Sequence, residues 1–158
     1  TLVREDGMTL FDSLVICEYL NELGQGALFP ATGDDKWRAL RWHALGDGML
    51  DALILWRNER ERAQPLPALI DAFDLKIRAC LTQLDDEAQD LSQAEFSIGT
   101  LTIGCALGYA DYRFEGTNQL AAIAHGSWPR RCGGSAKGCL HRLCRWCSAL
   151  WCRDRRVF

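Results

Sequence analysis

The sequence predicts a mainly α-helical protein that begins with a single β-hairpin. Apolar residues recur at helical spacing through three long stretches, at about residues 35–61, 67–86 and 96–111. Two short apolar runs, residues 1–3 and 8–11, flank Asp6-Gly7, a pair that favours a two-residue hairpin turn. An isolated hairpin is only marginally stable in water, so we expect this one to need a larger sheet to join.

The second strand leads into a short helix with a polar start. Apolar residues from Leu14 to Leu20 follow helical spacing, and the helix should end near Gly24, where glycine permits a left-handed cap. Ser13 is the predicted N-cap, because its hydroxyl can accept a hydrogen bond from an amide of the first turn. Asp12 lies directly before it in the chain.

This start of the helix suits the zwitterionic end of an amino acid. Free amides and the positive end of the helix dipole attract a carboxylate, and the adjacent Asp12 can receive an ammonium group. The alternative is that Ser13 only caps the helix and that Asp12 is a solvated neighbour.

A glycine-rich linker, residues 24–34, precedes the first long helix, which is predicted at about 35–61. Gly46 and Gly48 weaken this helix by up to about 1 kcal/mol each. Glycines inside a packed helix often mark the close approach of another helix or of a ligand. The charged run 58–62 at the end of the helix is predicted to be a solvated face.

Two prolines, Pro65 and Pro67, end that helix and begin the next, because proline is tolerated in a first turn. The second long helix is predicted at 67–86, and a polar surface loop follows it up to Glu95. The last stretch, 96–111, is apolar nearly all round, which is typical of a centrally buried helix.

The residues from Val3 to Leu20 resemble the second half of the thioredoxin-like domain of glutathione transferases. They read Val-Arg-Glu-Asp-Gly-Met-Thr-Leu-Phe-Asp-Ser-Leu-Val-Ile-Cys-Glu-Tyr-Leu. The family has a strand, a tight Asp-Gly turn, a strand, an acidic residue or Gln followed by Ser, and then an Ile-x-x-Tyr-Leu helix. The likeness continues through Phe29-Pro30 to about Phe114.

The resemblance implies a chain in three parts. Residues 1–29 would be a partial thioredoxin-like, glutathione-binding domain, reduced to a β-hairpin and one helix of an α/β fold. Residues 30–114 would be the all-helical C-terminal domain of a transferase. Residues 115–158 form a Cys-, Arg- and Trp-rich tail that is atypical of the family.

The resemblance also implies a reaction. Glutathione transferases attack a small electrophile with the thiolate of glutathione, their co-substrate, in detoxification, and they act as homodimers. By this resemblance, Asp12 and Ser13 hold the γ-glutamyl end of glutathione, in agreement with the zwitterion argument. Asp47 or Asp51 on the first long helix would reach the glutathione amine of a neighbouring subunit.

Trp42 and Met49 on the same helix are expected either to line the electrophile pocket or to pack in the core. Thr102 matches the cap of the family's core helix, but Cys105 stands where the family has an aspartate, so the usual capping box is incomplete. The family's thiol-activating residue lies before the matched part. We therefore expect little or no transferase activity from the matched part alone, which leaves enzymatic activity open.

Charge and composition change abruptly near residue 115. Residues 1–115 hold 10 Lys or Arg and 20 Asp or Glu, whereas residues 116–158 hold 8 and 1. Five of the eight cysteines and three of the six tryptophans fall in the second part. This composition is expected when GC-rich coding DNA is read in a wrong frame, and a frameshift is our preferred hypothesis for the tail.

Other hypotheses give the chain a different function. The tail offers thiolates and an imidazole for a tetrahedral zinc, without a clean second pair; they are Cys139, His141, Cys144, Cys147 and Cys152. Trp146 or Trp151 can stack on bases while arginines meet phosphates, but no nucleic-acid-binding module is recognisable. A third hypothesis is a non-catalytic interaction or dimerisation module built on the helices.

The sequence opens without a basic segment followed by an apolar one, and no apolar run approaches the roughly 20 residues of a membrane span. Cys17, Cys80 and Cys105 stand singly inside helical patterns, which suits reduced thiols. We therefore expect a cytoplasmic protein that needs no metal and binds neither membrane nor nucleic acid.

Overall fold

The computed structural model describes residues 1–114 and confirms a mainly α fold with a remnant hairpin. The strands are β1, Leu2–Val3, and β2, Thr9–Leu10. The helices are α1, Ser13–Leu23; α2, Gly33–Arg60; α3, Pro67–Asp86; α4, Ala88–Gln93; and α5, Ile98–Phe114. The frameshift, zinc and nucleic-acid hypotheses concern residues 115–158 and lie outside the described residues.

The hairpin has shorter strands than predicted and a three-residue loop in place of the two-residue turn. The Arg4 amide donates to the Met8 carbonyl at 2.9 Å, and the Gly7 amide donates to the Arg4 carbonyl at 3.0 Å. Residues 5–7 therefore form the loop. Gly7 has a φ of 82°, the left-handed conformation that closes such a loop. The strands pair antiparallel, Leu2 with Leu10 and Val3 with Thr9.

Asp12, and not the predicted Ser13, is the N-cap of α1. Its Oδ1 accepts a hydrogen bond from the Leu14 amide at 3.1 Å. Asp and Ser cap about equally well, so residue type did not distinguish the two positions. At the other end Gly24 has a φ of −86°, and the left-handed residue is Gln25, with a φ of 51°.

Helix α2 spans about 42 Å, and both α3 and α5 pack along it. A Cβ on Gly46 would lie 2.9 Å from the Ile103 nitrogen, and a Cβ on Gly99 would overlap the Ala39 carbonyl oxygen. Gly46 therefore marks a close helix contact, as predicted. Gly48 does not, because a Cβ there would meet nothing within 4 Å.

The core lies where α2, α3 and α5 meet. Its largest fully buried side chains are Trp42, Met49, Leu53, Trp56, Ile77 and Ile103. Trp56 stacks on Phe114 with ring centroids 5.0 Å apart, which ties the end of α5 to α2. The sequence predicted that α5 is buried nearly all round. The structure differs, because Cys105 and Gly108 are exposed.

The capping box of α5 lies earlier than Thr102. The Ser97 amide donates to Thr100 Oγ1 at 2.9 Å, and the Thr100 amide reaches Ser97 Oγ at 3.5 Å. Thr100 thus supplies the oxygen that Glu or Gln supplies in the usual box. Thr102 sits inside the helix and donates to the Ile98 carbonyl at 2.8 Å, so its assignment as a cap is wrong.

The charged run 58–62 is not wholly a solvated face, because Glu59 is only 3% exposed. Its Oε1 accepts a hydrogen bond from the Leu66 amide at 2.8 Å, and its Oε2 pairs with Arg62 at 2.9 Å. Leu66 is the N-cap residue of α3 and has no side-chain oxygen to offer. Glu59 therefore holds the end of α2 against the start of α3.

Glu87 joins α2 to the α3–α4 junction. Arg41 Nη1 donates to its Oε1 at 2.6 Å, Trp42 Nε1 donates to its Oε2 at 2.6 Å, and Gln83 also donates to it. The Arg41 hydrogen bonds are the main cause that lowers the pKa of Glu87 from 4.5 to about 2. The predicted loop after α3 instead contains α4, whose Leu91 is buried.

Replacing Gly99 with alanine should lower the free energy of unfolding by about 1–3 kcal/mol, because the added methyl group collides with the backbone of α2. Gly48→Ala is the matched control. The space beside Gly48 is open, so its substitution should stabilise α2 by up to about 1 kcal/mol. Urea unfolding followed by circular dichroism measures both. Equal effects would contradict the close contact at Gly99.

Glu87→Gln should lower the free energy of unfolding by about 2 kcal/mol at pH 7, after allowance for solvent screening at the half-exposed Arg41. The folded-state pKa of Glu87 is lowered, so its contribution is present above 4.5 and is lost as the pH falls towards 2. The difference in the free energy of unfolding between the wild type and Glu87→Gln should therefore shrink as the pH falls through that range.

The control for Glu87→Gln is Glu61→Gln, which removes an exposed ion pair with Arg57 at 3.5 Å. Such pairs contribute about 0–1 kcal/mol, so the substitution should have little effect at any pH. A Glu87→Gln effect that stays constant from pH 7 to pH 3 would contradict the ionic role of Glu87.

Candidate functional site

The start of α1 places a carboxylate and a hydroxyl side by side at the surface. Asp12 and Ser13 are both exposed. The Leu14 amide occupies Asp12 Oδ1, and the Ile16 amide donates to the Asp12 carbonyl at 3.1 Å. Within residues 1–114, Asp12 Oδ2 and the amide and hydroxyl of Ser13 make no hydrogen bond.

These free groups match the two charges of an amino-acid end. The Ser13 amide and hydroxyl are donors at the positive end of the helix dipole, where a carboxylate is stabilised. Asp12 Oδ2 is a free acceptor for an ammonium group. Asp12, which the sequence analysis did not expect as the cap, caps the helix and keeps one oxygen available, and ligand binding by Asp12 and Ser13 stays a prediction.

The surface around this helix start is apolar and uncovered in the described part of the chain. Helix α1 has no buried residue. Phe11, directly before Asp12, is 71% exposed. The other large apolar residues exposed on the hairpin and α1 are Val3, Met8, Val15, Leu20 and Leu23. An exposed apolar surface of this extent is typical of an interaction surface.

Asp47 and Asp51 lie one turn apart on α2. Asp47 is half-buried and Asp51 is exposed, and neither forms an ion pair with another residue between 1 and 114. No hydrogen bond within that range joins either of them to Asp12 or Ser13. A role for them at a neighbouring subunit's glutathione stays a prediction.

Trp42 and Met49 both pack in the core, one of the two locations that the sequence allowed. Met49 is 0% exposed and Trp42 is 2% exposed. The indole nitrogen of Trp42 is already engaged with Glu87. Neither side chain offers surface to a ligand in the described structure. Their burial therefore does not support the alternative that they line an electrophile pocket.

A cavity of about 270 Å³ lies near the other end of α1. Glu18 and Glu22 of α1 line one side, and Lys36 of α2 lines another. Phe29 and Ile98 contribute apolar surface. No sequence motif marked Glu18, Glu22 and Lys36 as a site, although the i, i+4 spacing of Glu18 and Glu22 places these two on one helix face.

Asn21 fixes the shape of the loop beside this cavity. Its Oδ1 accepts a hydrogen bond from the Leu28 amide at 2.8 Å, and its carbonyl accepts one from the Gly26 amide at 2.7 Å. The Leu28 carbonyl in turn accepts a hydrogen bond from the Ile98 amide at 2.9 Å. The cavity is therefore bounded by backbone that is tied to both α1 and α5.

The described residues contain no evident activated nucleophile. Burial raises the pKa of the Cys80 thiol, with the nearby Lys76 opposing the shift, so the unreactive protonated form is favoured. His43, which lies within α2, is only 9% exposed.

Residues 1–114 contain no group of three or more His, Cys, Asp or Glu side chains arranged to hold a metal ion. Within the same range, no helix combines the length and apolar character needed to cross a membrane.

Comparison with known proteins gives relatives in one family. No protein-family model matches the chain. An uncharacterized GST-like protein of Escherichia coli K12, YibF, is 31% identical over an alignment of 119 residues that covers 71% of this chain. The chain spans 58% of the length of that relative.

Two crystal structures of a glutathione transferase family member from Pseudomonas fluorescens Pf-5 are also similar. One has bound S-(propanoic acid)-glutathione; it is 35% identical with a TM-score of 0.64, over 77% of this chain and 68% of that one. The other has bound glutathione; it is 32% identical with a TM-score of 0.62, over 80% of this chain and 71% of that one.

Proposed function

The chain belongs to the glutathione transferase family, and from that membership we propose that the start of α1 binds the γ-glutamyl end of glutathione. One observation carries the proposal. The Ser13 amide and hydroxyl are free at the positive end of the helix, next to a free oxygen of Asp12. The glutathione bound in a related structure supports this choice of ligand.

The γ-glutamyl end carries an α-carboxylate and an α-ammonium group. The Ser13 amide and hydroxyl would donate to the carboxylate, and Asp12 Oδ2 would accept from the ammonium. Hydrogen bonds to charged groups contribute about 1.5–3 kcal/mol each. The exposure of both residues places these contacts at the lower end of that range.

The activity of the whole protein follows as a broader proposal: conjugation of the glutathione thiol to a small electrophile. Such an enzyme brings the two reactants together and lowers the pKa of the thiol with a nearby donor. The exposed apolar residues of the hairpin and α1 support assembly with further protein surface, including a homodimer. The free thiols of Cys17, Cys80 and Cys105 support a cytoplasmic location.

Ser13→Ala and Asp12→Asn should each weaken glutathione binding about tenfold or more, because each removes a partner of one ligand charge. Isothermal titration calorimetry with the full chain measures the loss. Asp12→Asn separates binding from folding, because asparagine caps a helix as well as aspartate does. Asp12→Ala should also lower the free energy of unfolding by about 1 kcal/mol.

The matched control is Glu5→Gln, which changes an exposed carboxylate in the hairpin loop. Its glutathione affinity should equal that of the wild type. The proposed site is wrong if glutathione binds equally well to wild type, Ser13→Ala and Asp12→Asn, or if it does not bind the wild-type chain.

The 158-residue chain should conjugate glutathione to a chlorinated dinitrobenzene little faster than the uncatalysed reaction. By the resemblance, the thiol-activating residue is not among the matched positions, and the described residues offer no group in its place. Absorbance of the conjugate, measured with and without protein, tests this. Turnover at ordinary transferase rates would show that the chain itself activates the thiol.

A further inference from the structure

The cavity between α1, the linker and α2 is lined by charged groups of opposite sign that come from different helices. Glu18 and Glu22 are on the α1 wall, and Lys36 is on the α2 wall. None of the three forms an ion pair with another described residue, and Lys36 Nζ lies 5.9 Å from the centroid of the Trp37 ring. Two carboxylates at i, i+4 repel each other, so a bound cation would relieve this repulsion.

The dipoles of α1 and α2 have the same sign at the cavity as the charged side chains of each helix: negative at the end of α1 and positive at the start of α2. The last turn of α1 has no basic residue, so the negative end of its dipole is not compensated at the cavity. The N-cap of α2, Thr32, makes no side-chain hydrogen bond to the first turn, which contains Lys36. Asp34 and Asp35 also lie in this turn, but neither lines the cavity, and Asp35 pairs with Arg38 at 2.6 Å.

Apart from Asn21, the rest of the lining is apolar, and the volume limits the size of the ligand. Phe29, Leu40 and Ile98 contribute apolar surface to the same lining. The volume of about 270 Å³ lies just below the range of roughly 300–1,000 Å³ typical of pockets for drug-sized ligands. A small molecule with an apolar body fits better than a peptide or a nucleotide.

We propose that this cavity binds a free α-amino acid with an apolar side chain. The ammonium group lies against Glu18 and Glu22, the carboxylate against Lys36, and the side chain on Phe29 and Ile98. The site uses neither Asp12 nor Ser13, so it does not depend on the proposed glutathione site.

L-Phenylalanine and two analogues test the proposal by calorimetry on the full chain. 2-Phenylethylamine lacks the carboxylate, and 3-phenylpropanoate lacks the ammonium group. L-Phenylalanine should bind saturably, and each analogue should bind about tenfold more weakly, the equivalent of about 1.4 kcal/mol for a lost ionic contact. No saturable binding, or equal binding of all three compounds, would overturn the proposal.

Variants that remove one charge show which residues contact the carboxylate of the ligand and which contact its ammonium group. Lys36→Gln should weaken binding of L-phenylalanine and 3-phenylpropanoate but not of 2-phenylethylamine. Glu18→Gln combined with Glu22→Gln should weaken binding of L-phenylalanine and 2-phenylethylamine only. The opposite pattern, or no effect of either change, would overturn the assignment.

The matched controls are Lys76→Gln on α3 and Glu5→Gln in the hairpin, because both residues are exposed and neither lines the cavity. Both controls should bind L-phenylalanine as the wild type does. Ala31→Trp, at an exposed position of the lining, should fill the cavity and abolish binding without disturbing the core. Full binding by this variant would place the ligand elsewhere and overturn the proposal.

Discussion

The close contact between α2 and α5 is the constraint on which the other elements depend. Gly46 and Gly99 allow the two backbones to approach where any side chain would collide with the opposite helix. This contact fixes the first turn of α5, where the Ile98 amide donates to the Leu28 carbonyl at 2.9 Å. The linker is thereby held against the helices, and the position of α1 follows from the linker.

Acidic side chains, and not only apolar packing, hold α2, α3 and α4 in their positions relative to one another. Glu59 closes the connection from α2 to α3, and Glu87 joins Arg41 and Trp42 of α2 to the junction after α3. A partly buried carboxylate costs desolvation free energy unless several donors satisfy it. Here each carboxylate receives two or more donors, and the acidic excess of residues 1–115 is therefore partly structural.

The sequence predicted the features that residue type and spacing determine. The bounds Pro67–Asp86 of α3 are as predicted, because proline marks the start and the apolar spacing is unbroken. The choice between Asp12 and Ser13 as cap was not predictable, because both residue types cap well. Gly46 and Gly48 look alike in sequence, and only the path of α5 shows which one meets a neighbour. The burial of Glu59 likewise depends on where the next helix begins.

The start of α1 was predictable as a candidate site, whereas the cavity was not, because only the former depends on residues that are adjacent in the chain. Asp12 and Ser13 are adjacent in the chain, so a local motif was enough to place them together at the start of α1. The cavity was not predictable, because Lys36 lines the same cavity as Glu18 and Glu22 only after the linker has folded back on Asn21 and Ile98. Residues that are distant in the sequence converge through tertiary contacts, which apolar periodicity does not specify.

The two ends of α1 have opposite electrostatic character, and this separates the two proposed ligands. The N-terminal end carries the positive pole of the dipole and the proposed site for the carboxylate of a zwitterion, whereas the C-terminal end carries the negative pole and, with Glu18 and Glu22, the proposed site for an ammonium group. A helix of 11 residues is about 16 Å long. The two proposed sites therefore lie towards opposite ends of this helix, and the fixed direction of the helix dipole decides which charge each end favours.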